Sequence, residues 1–91
     1  MLSNLINEIG LLKRHIKILK LVKGNEPIGI LKLSELSEIP QHRVRYSLRI
    51  LEQKGLIMPS SKGAVPTKKA TRVLKSLDED LKKISKKLGK I

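Results

Sequence analysis

The chain has 91 residues and carries 20 Lys and Arg side chains against 8 Asp and Glu, which gives a formal net charge of +12. A surplus this large in so short a chain indicates a polyanionic partner, with nucleic acid as the first candidate and an anionic membrane surface as the second. Because there is no Cys, the composition excludes disulfides and thiolate metal sites. The single aromatic residue, Tyr46, nearly excludes recognition by bases stacked on a platform of aromatic side chains.

The first predicted element is an N-terminal helix over residues 1–23. Its apolar side chains alternate in spacing between three and four residues, which is typical of a single stripe along a helix. Gly24 and Pro27 follow and predict its end. Two roles are open for the stripe, namely packing on the core of its own chain or forming an interface with another chain. The stripe consists of Leu2, Leu5, Ile9, Leu12, Ile16 and Leu19.

A short second helix is predicted between residues 27 and 39. Proline disfavours helical geometry in the residue before it but suits the first turn of a helix, so Pro40 predicts a tight turn into the next helix. The serines Ser34 and Ser37 are expected to face solvent. The inward edge is predicted at every third position, at Ile30, Leu33, Leu36 and Ile39.

A third helix is predicted over residues 41–54, with its buried edge at Val44, Leu48 and Leu51 and a polar, basic edge opposite. Gly55 suits the end of this helix.

A short hairpin is predicted next, with one strand at residues 56–58, a turn at residues 60–63 and a returning strand at residues 64–65. The last helix is predicted to begin at Thr67, a favourable N-cap residue, and to continue almost to residue 91.

Residues 33–57, LSELSEIPQHRVRYSLRILEQKGLI, resemble the small archaeal winged helix-turn-helix DNA-binding proteins. In that family two helices joined by a sharp turn precede a hairpin, the wing, and the second helix lies in the major groove of DNA. The sequence departs from the family at Glu38, where a glycine is common, and at Pro40, where a capping serine is usual. The resemblance covers residues 27–70 and implies a mainly α fold with a small β-hairpin.

We therefore expect one winged-helix domain over residues 1–91. The helix-turn-helix and wing would occupy residues 27–70, with long oligomerisation helices at residues 1–23 and 67–91 on either side.

The distribution of charge agrees with DNA binding. From Gln41 to Lys69 the chain has seven basic residues and one acidic residue, a local balance of +6 over 29 residues. The resemblance implies that the third helix enters the major groove and that Lys62 at the wing tip follows the DNA backbone or reaches the minor groove. The expected DNA-binding residues are Gln41, His42, Arg43, Arg45, Tyr46, Arg49, Lys62, Lys68 and Lys69.

The last helix carries a second heptad stripe and is longer than so small a domain can cover. Leaving such a stripe in water would forgo about 1.5–3 kcal/mol of burial for each side chain. We expect self-association through this helix into a homodimer, with a tetramer as the alternative if both terminal helices form interfaces. The expected oligomerisation residues are Leu74, Leu77, Leu81, Ile84, Leu88 and Ile91.

No metal site, cofactor, small-molecule ligand or catalytic group is expected, since the two histidines, His15 and His42, are distant and no acidic residue completes a ligand set. The expected function is a homo-oligomeric double-stranded-DNA-binding protein of the cytoplasm, associated with the nucleoid and without a membrane partner. It would regulate transcription or bridge DNA as an architectural protein. The alternative is a protein- or RNA-interaction module that uses its basic surface without specific DNA readout.

Overall fold

The computed structural model describes residues 2–89, with side chains for residues 4–80 and for Lys82. The described chain is mainly helical with one small antiparallel hairpin, so the predicted class and order of elements are confirmed. In chain order the elements are α1 (Leu2–Asn25), α2 (Ile30–Ser37), α3 (Gln41–Gln53), β1 (Ile57–Ser60), β2 (Gly63–Pro66) and α4 (Lys68–Gly89).

The core lies where α1, α2 and α3 meet beside the hairpin and the start of α4. Its fully buried side chains include Ile18, Leu33 and Val44, one from each of the first three helices. The α1 helix enters this core through its second half only, because its exposed apolar side chains all lie at or before Leu12. The core cluster consists of Ile18, Leu19, Val22, Ile28, Leu33, Val44, Leu51, Leu56, Ile57, Ala70 and Leu74.

The turn between α2 and α3 is closed by two serine side chains. The hydroxyl of Ser34 donates to the carbonyl of Ile39 at 2.6 Å, and the amide of Ile39 donates to the hydroxyl of Ser37 at 3.2 Å. Glu38 between them has φ 59° and ψ 26°, the left-handed conformation that glycine adopts most easily. The backbone at position 38 therefore favours glycine, although the sequence has glutamate there.

Two predictions for α2 are wrong. Ser37 is 1% exposed, whereas Leu36 is 42% exposed. The physical reason is the helical repeat: Ser37 follows the buried Leu33 by four residues and lies on the same face, and the amide of Ile39 supplies a polar partner for its hydroxyl. In addition, the ammonium group of Lys17 donates to the Ser37 carbonyl at 2.9 Å, which ties α1 to the end of α2.

The antiparallel hairpin is confirmed, and its strands extend by Ser60 and Gly63 into the predicted turn. Ile57 pairs with Pro66 and Ser60 with Gly63, so Ser61 and Lys62 form a two-residue loop. Thr67 caps α4 as predicted, because its hydroxyl accepts a hydrogen bond from the amide of Ala70 at 3.4 Å.

The hairpin is also hydrogen-bonded to the segment before α2. The amide of Ile28 donates to the Ala64 carbonyl at 3.1 Å, and the amide of Ala64 donates to the Ile28 carbonyl at 2.8 Å. Gly63, at φ 133°, lies so close to this segment that an added Cβ would come within 2.5 Å of the Ile28 carbonyl carbon. These two hydrogen bonds fix the hairpin to the helical body.

Candidate nucleic-acid interface

The α3 helix buries one face and exposes the opposite one. Val44, Ser47 and Leu51 recur every three to four residues and are buried. Because these residues occupy the inner face, the polar residues between them are directed to solvent. All six residues of α3 that the sequence assigned to DNA are exposed, namely Gln41, His42, Arg43, Arg45, Tyr46 and Arg49.

The arginines of α3 are not neutralised by acidic partners. Within the described residues the ion pairs are Lys20 with Asp78 and Lys32 with Glu35, and neither involves α3. The single acidic residue of α3 is Glu52, near its end. The exposed face of α3 is therefore a positively charged surface that is open to an anionic partner.

The first turn of α3 also suits an anion. Its N-cap is Pro40, whose side chain forms no capping hydrogen bond, and the first turn has no acidic residue. The first amide groups of a helix lack partners within the helix and carry partial positive charge, which favours a phosphate group. Arg43 lies in the same turn, so side-chain and backbone charge have the same sign there.

Three residues on α1 and α3 lock the two helices together. The Arg14 Nε donates to the Ser47 hydroxyl at 3.2 Å, and the His15 Nδ1 lies 2.8 Å from the same oxygen. Since the hydroxyl oxygen accepts from Arg14, its hydrogen is available for donation to an unprotonated His15 Nδ1. This arrangement gives the buried Ser47 a partner on each side and sets the position of α3 relative to α1.

Arg14 is a candidate binding residue that the sequence analysis missed. Its guanidinium carbon lies 5.9 Å from the centroid of the Tyr46 ring, a cation–π distance, and His15 lies on the same ring at 6.1 Å between centroids. Arg14 thus brings a further positive charge from α1 to the edge of the α3 face. No signal in the sequence could identify it, because only the packing of α1 on α3 places it there.

Burial lowers the pKa of the His15 imidazole below its ordinary value of 6.5, and the positive charges of Arg14 and Lys54 lower it further. The folded chain therefore binds fewer protons at this site than the unfolded chain does. Its contribution to stability is fully present above pH 6.5 and is lost as the pH falls through 6.5 toward the lower pKa of the folded state.

We expect the midpoint of thermal unfolding to fall between pH 7.5 and pH 5, and to fall less in His15→Gln, whose amide can still accept from Ser47. The measurement is circular dichroism on heating at several pH values. The matched control is His42→Gln, because His42 is exposed on α3. An equal fall in wild type and in His15→Gln would show that His15 is not the titrating group.

The remaining predicted binding residues lie on the hairpin and on α4. Lys62 is exposed in the two-residue loop at the hairpin tip, and its amide donates to the Ser60 hydroxyl at 3.3 Å. Lys68 and Lys69 are exposed in the first turn of α4. The ammonium group of Lys69 donates to the Lys54 carbonyl at 2.8 Å, so Lys69 caps the carboxyl end of α3, opposite the end that carries Gln41.

The predicted oligomerisation residues do not form one exposed stripe. Leu74 is 5% exposed and belongs to the core of its own chain, so its assignment to an interface with another chain is corrected. It is covered because the first turns of α4 lie against α1 and α3. Leu77 is half-buried. Ile91 lies outside the described residues, and the side chains of Leu81, Ile84 and Leu88 also lie outside them.

Between residues 2 and 89, no helix has the length and apolar character needed to cross a bilayer. No group of three or more His, Cys, Asp or Glu side chains within this range could hold a metal ion. No protein-family model matches the chain, and no curated protein matches it.

Proposed function

We propose that the chain is a winged helix-turn-helix protein that binds double-stranded DNA, with α3 in the major groove and the hairpin as the wing. Three features of the fold support this. A turn of three residues separates α2 from α3, the hairpin follows α3 directly, and a further helix lies on each side of this unit.

The observation that carries the proposal is the exposed arginine face of α3. Arg45 and Arg49 are exposed and lie on one side of the helix, and no acidic side chain of the described chain pairs with them. Arginine is the residue that most often recognises guanine through two hydrogen bonds, and it also binds phosphate oxygens in the same bidentate way. A glutamine such as Gln41 can recognise adenine similarly.

Most of the affinity in this proposal comes from phosphate contacts. The basic residues of α3, the hairpin loop and the start of α4 neutralise phosphates and release counterions, and base contacts from α3 add a limited sequence preference. We propose that the protein acts in the cytoplasm, on the nucleoid, as a homo-oligomer.

Two roles on DNA fit the chain. Residues 62–91 carry ten basic and three acidic side chains, and this extended charge favours an architectural protein that organises or bridges DNA. The resemblance of residues 33–57 to winged helix-turn-helix proteins favours a transcription regulator. Protection of random and genomic DNA from cleavage distinguishes these roles, because a regulator protects discrete sites and an architectural protein protects DNA broadly.

The test of DNA binding is a titration of fluorescent duplex DNA at about 50 and 200 mM salt. With about six phosphate contacts, affinity should fall about 10³-fold over this range. A protein that shows no duplex binding at the lower salt concentration would refute the proposal. Single-stranded RNA of the same length is the second ligand, and preferential binding to it would favour the RNA-interaction alternative.

A further inference from the structure

The first half of α1 has an apolar face that nothing in the described chain covers. Leu5, Ile9 and Leu12 are 52%, 47% and 58% exposed, and their spacing of four and three residues places them on one side of the helix. We call these three residues the α1 stripe. Leu19 continues the same heptad pattern but is only 2% exposed, because the second half of α1 packs into the core.

The α1 stripe continues into a groove. This cavity of ≈ 230 Å³ lies between α1, α3 and α4, and Leu12 belongs to both the stripe and the groove lining. Val73 and Leu77 of α4 contribute apolar side chains to its far wall, and Val73 is 40% exposed. The stripe and the groove together form a continuous apolar surface, which is the usual property of an interface with another protein surface.

The charge around the α1 stripe does not favour nucleic acid as its occupant. In a chain of net charge +12, the first twelve residues contain one acidic residue, Glu8, and no basic residue. Basic residues begin at Lys13, immediately after the stripe. The apolar surface is therefore the part of α1 on which two copies of this basic chain can approach with the least repulsion.

We infer that the α1 stripe binds the α1 stripe of a second copy of this chain, with the two helices parallel. In heptad terms Leu5, Ile9 and Leu12 occupy the a and d positions, Glu8 occupies g and Lys13 occupies the following e. A g residue in a parallel pair faces the e residue five positions later in its partner. Glu8 of each copy therefore meets Lys13 of the other, and the two-fold axis repeats the pair.

The opposite orientation lacks this complementarity. In an antiparallel pair g positions face g positions and e positions face e positions, so Glu8 of one copy cannot face Lys13 of the other. The flanking charges thus select the parallel arrangement, while burial of Leu5, Ile9 and Leu12 provides the driving force.

This dimer does not depend on the proposed DNA binding, because α1 forms it without using the exposed face of α3. If DNA binding also holds, each dimer presents two α3 surfaces to DNA, which suits either a two-fold DNA site or the bridging of two duplexes. The mass in solution without DNA tests the dimer, and duplex binding tests the proposed function, so failure of either one is distinguishable from failure of the other.

The first experiment measures mass by sedimentation equilibrium on the full chain without DNA. We expect twice the 10.2 kDa chain mass for wild type and the single chain mass for Leu5→Gln with Ile9→Gln. Both side chains are about half exposed, so far-UV circular dichroism should show an unchanged helical fold. The matched control is Leu31→Gln with Leu36→Gln, which removes two exposed apolar side chains of α2 and should leave the dimer intact. A monomeric wild type, or a dimeric α1 variant, would overturn the inference.

The second experiment exchanges the flanking charges. Glu8→Lys alone and Lys13→Glu alone should each weaken the dimer about threefold to tenfold, because each creates two like-charge contacts in a symmetric pair. The double variant with both changes restores opposite charges and should recover wild-type dimerisation. If the double variant is as weak as the single variants, Glu8 and Lys13 of opposite copies do not meet and the parallel arrangement is wrong.

Discussion

Replacing Arg45 and Arg49 together by alanine is expected to weaken duplex binding by about 2–4 kcal/mol, or roughly 30- to 900-fold. Both side chains are exposed on the α3 face and form no ion pair within the described chain, so their loss removes charge at the interface without disturbing internal contacts. If both arginines bind phosphates, the slope of log K against log salt should become shallower by about 1.8, at about 0.9 for each contact.

The measurement compares duplex titrations at several salt concentrations with thermal unfolding of the same variant. The matched control is Lys23→Ala with Lys75→Ala, which removes two exposed positive charges from α1 and α4 that form no ion pair within the described chain. Its binding should fall less than that of the arginine variant, because these lysines lie outside the α3 face. Equal losses in the two variants would indicate that total charge, and not the α3 face, determines binding. A large drop in thermal stability of the arginine variant would indicate a structural role.

Replacing Gly63 by alanine is expected to destabilise the fold by about 2–4 kcal/mol and to lower the unfolding midpoint by about 10 °C or more. An added Cβ would lie 2.5 Å from the carbonyl carbon of Ile28, 2.6 Å from its oxygen and 2.9 Å from the Gly29 nitrogen. These are backbone atoms and cannot move aside as a flexible side chain can. The φ of 133° is a second obstacle, since side-chain-bearing residues rarely adopt it.

Gly10→Ala is the matched control for Gly63→Ala. Gly10 lies within α1 with nothing within 4 Å of an added Cβ, so alanine there should stabilise the helix by about 1 kcal/mol. Urea unfolding of both variants at neutral pH gives the two free energies. If Gly63→Ala unfolds at the same urea concentration as wild type, the hairpin does not pack on the Ile28 segment. The affinity of Gly63→Ala for duplex DNA, measured under conditions in which the variant is folded and compared with that of wild type, shows how far the position of Lys62 contributes to binding.

The element order and the polar face of α3 were predictable because they rest on local chemistry. Pro40 and Gly55 mark helix boundaries through backbone geometry that tertiary packing does not change. The helical repeat likewise places Val44 and Leu51 on one side of α3 and Arg45 and Arg49 on the other. The exposed positions of the candidate interface could therefore be named from the sequence, although the DNA contact itself remains a proposal.

The spacing of apolar residues predicted burial wrongly at positions where contacts with other segments of the chain decide whether a side chain is buried. A spacing of three placed Leu36 inside and Ser37 outside, and the structure reverses both because Ser37 shares a face with Leu33 and the Ile39 amide donates to its hydroxyl. The same applies to the buried Ser47, whose partners Arg14 and His15 lie more than thirty residues away in the chain. A buried hydroxyl is stable only with such partners, and they cannot be identified before the helices are packed.

The amino-acid order by itself determined the helices, the hairpin and the two heptad stripes, because each depends on neighbours within a few residues along the chain. Tertiary structure alone decided how those stripes are used. It buries Leu19 and Leu74 in one core, leaves Leu5 and Ile9 exposed, and brings Arg14 onto the Tyr46 ring. Heptad spacing shows only that apolar side chains lie on one side of a helix. The surface that covers them is decided by contacts between segments that are far apart in sequence.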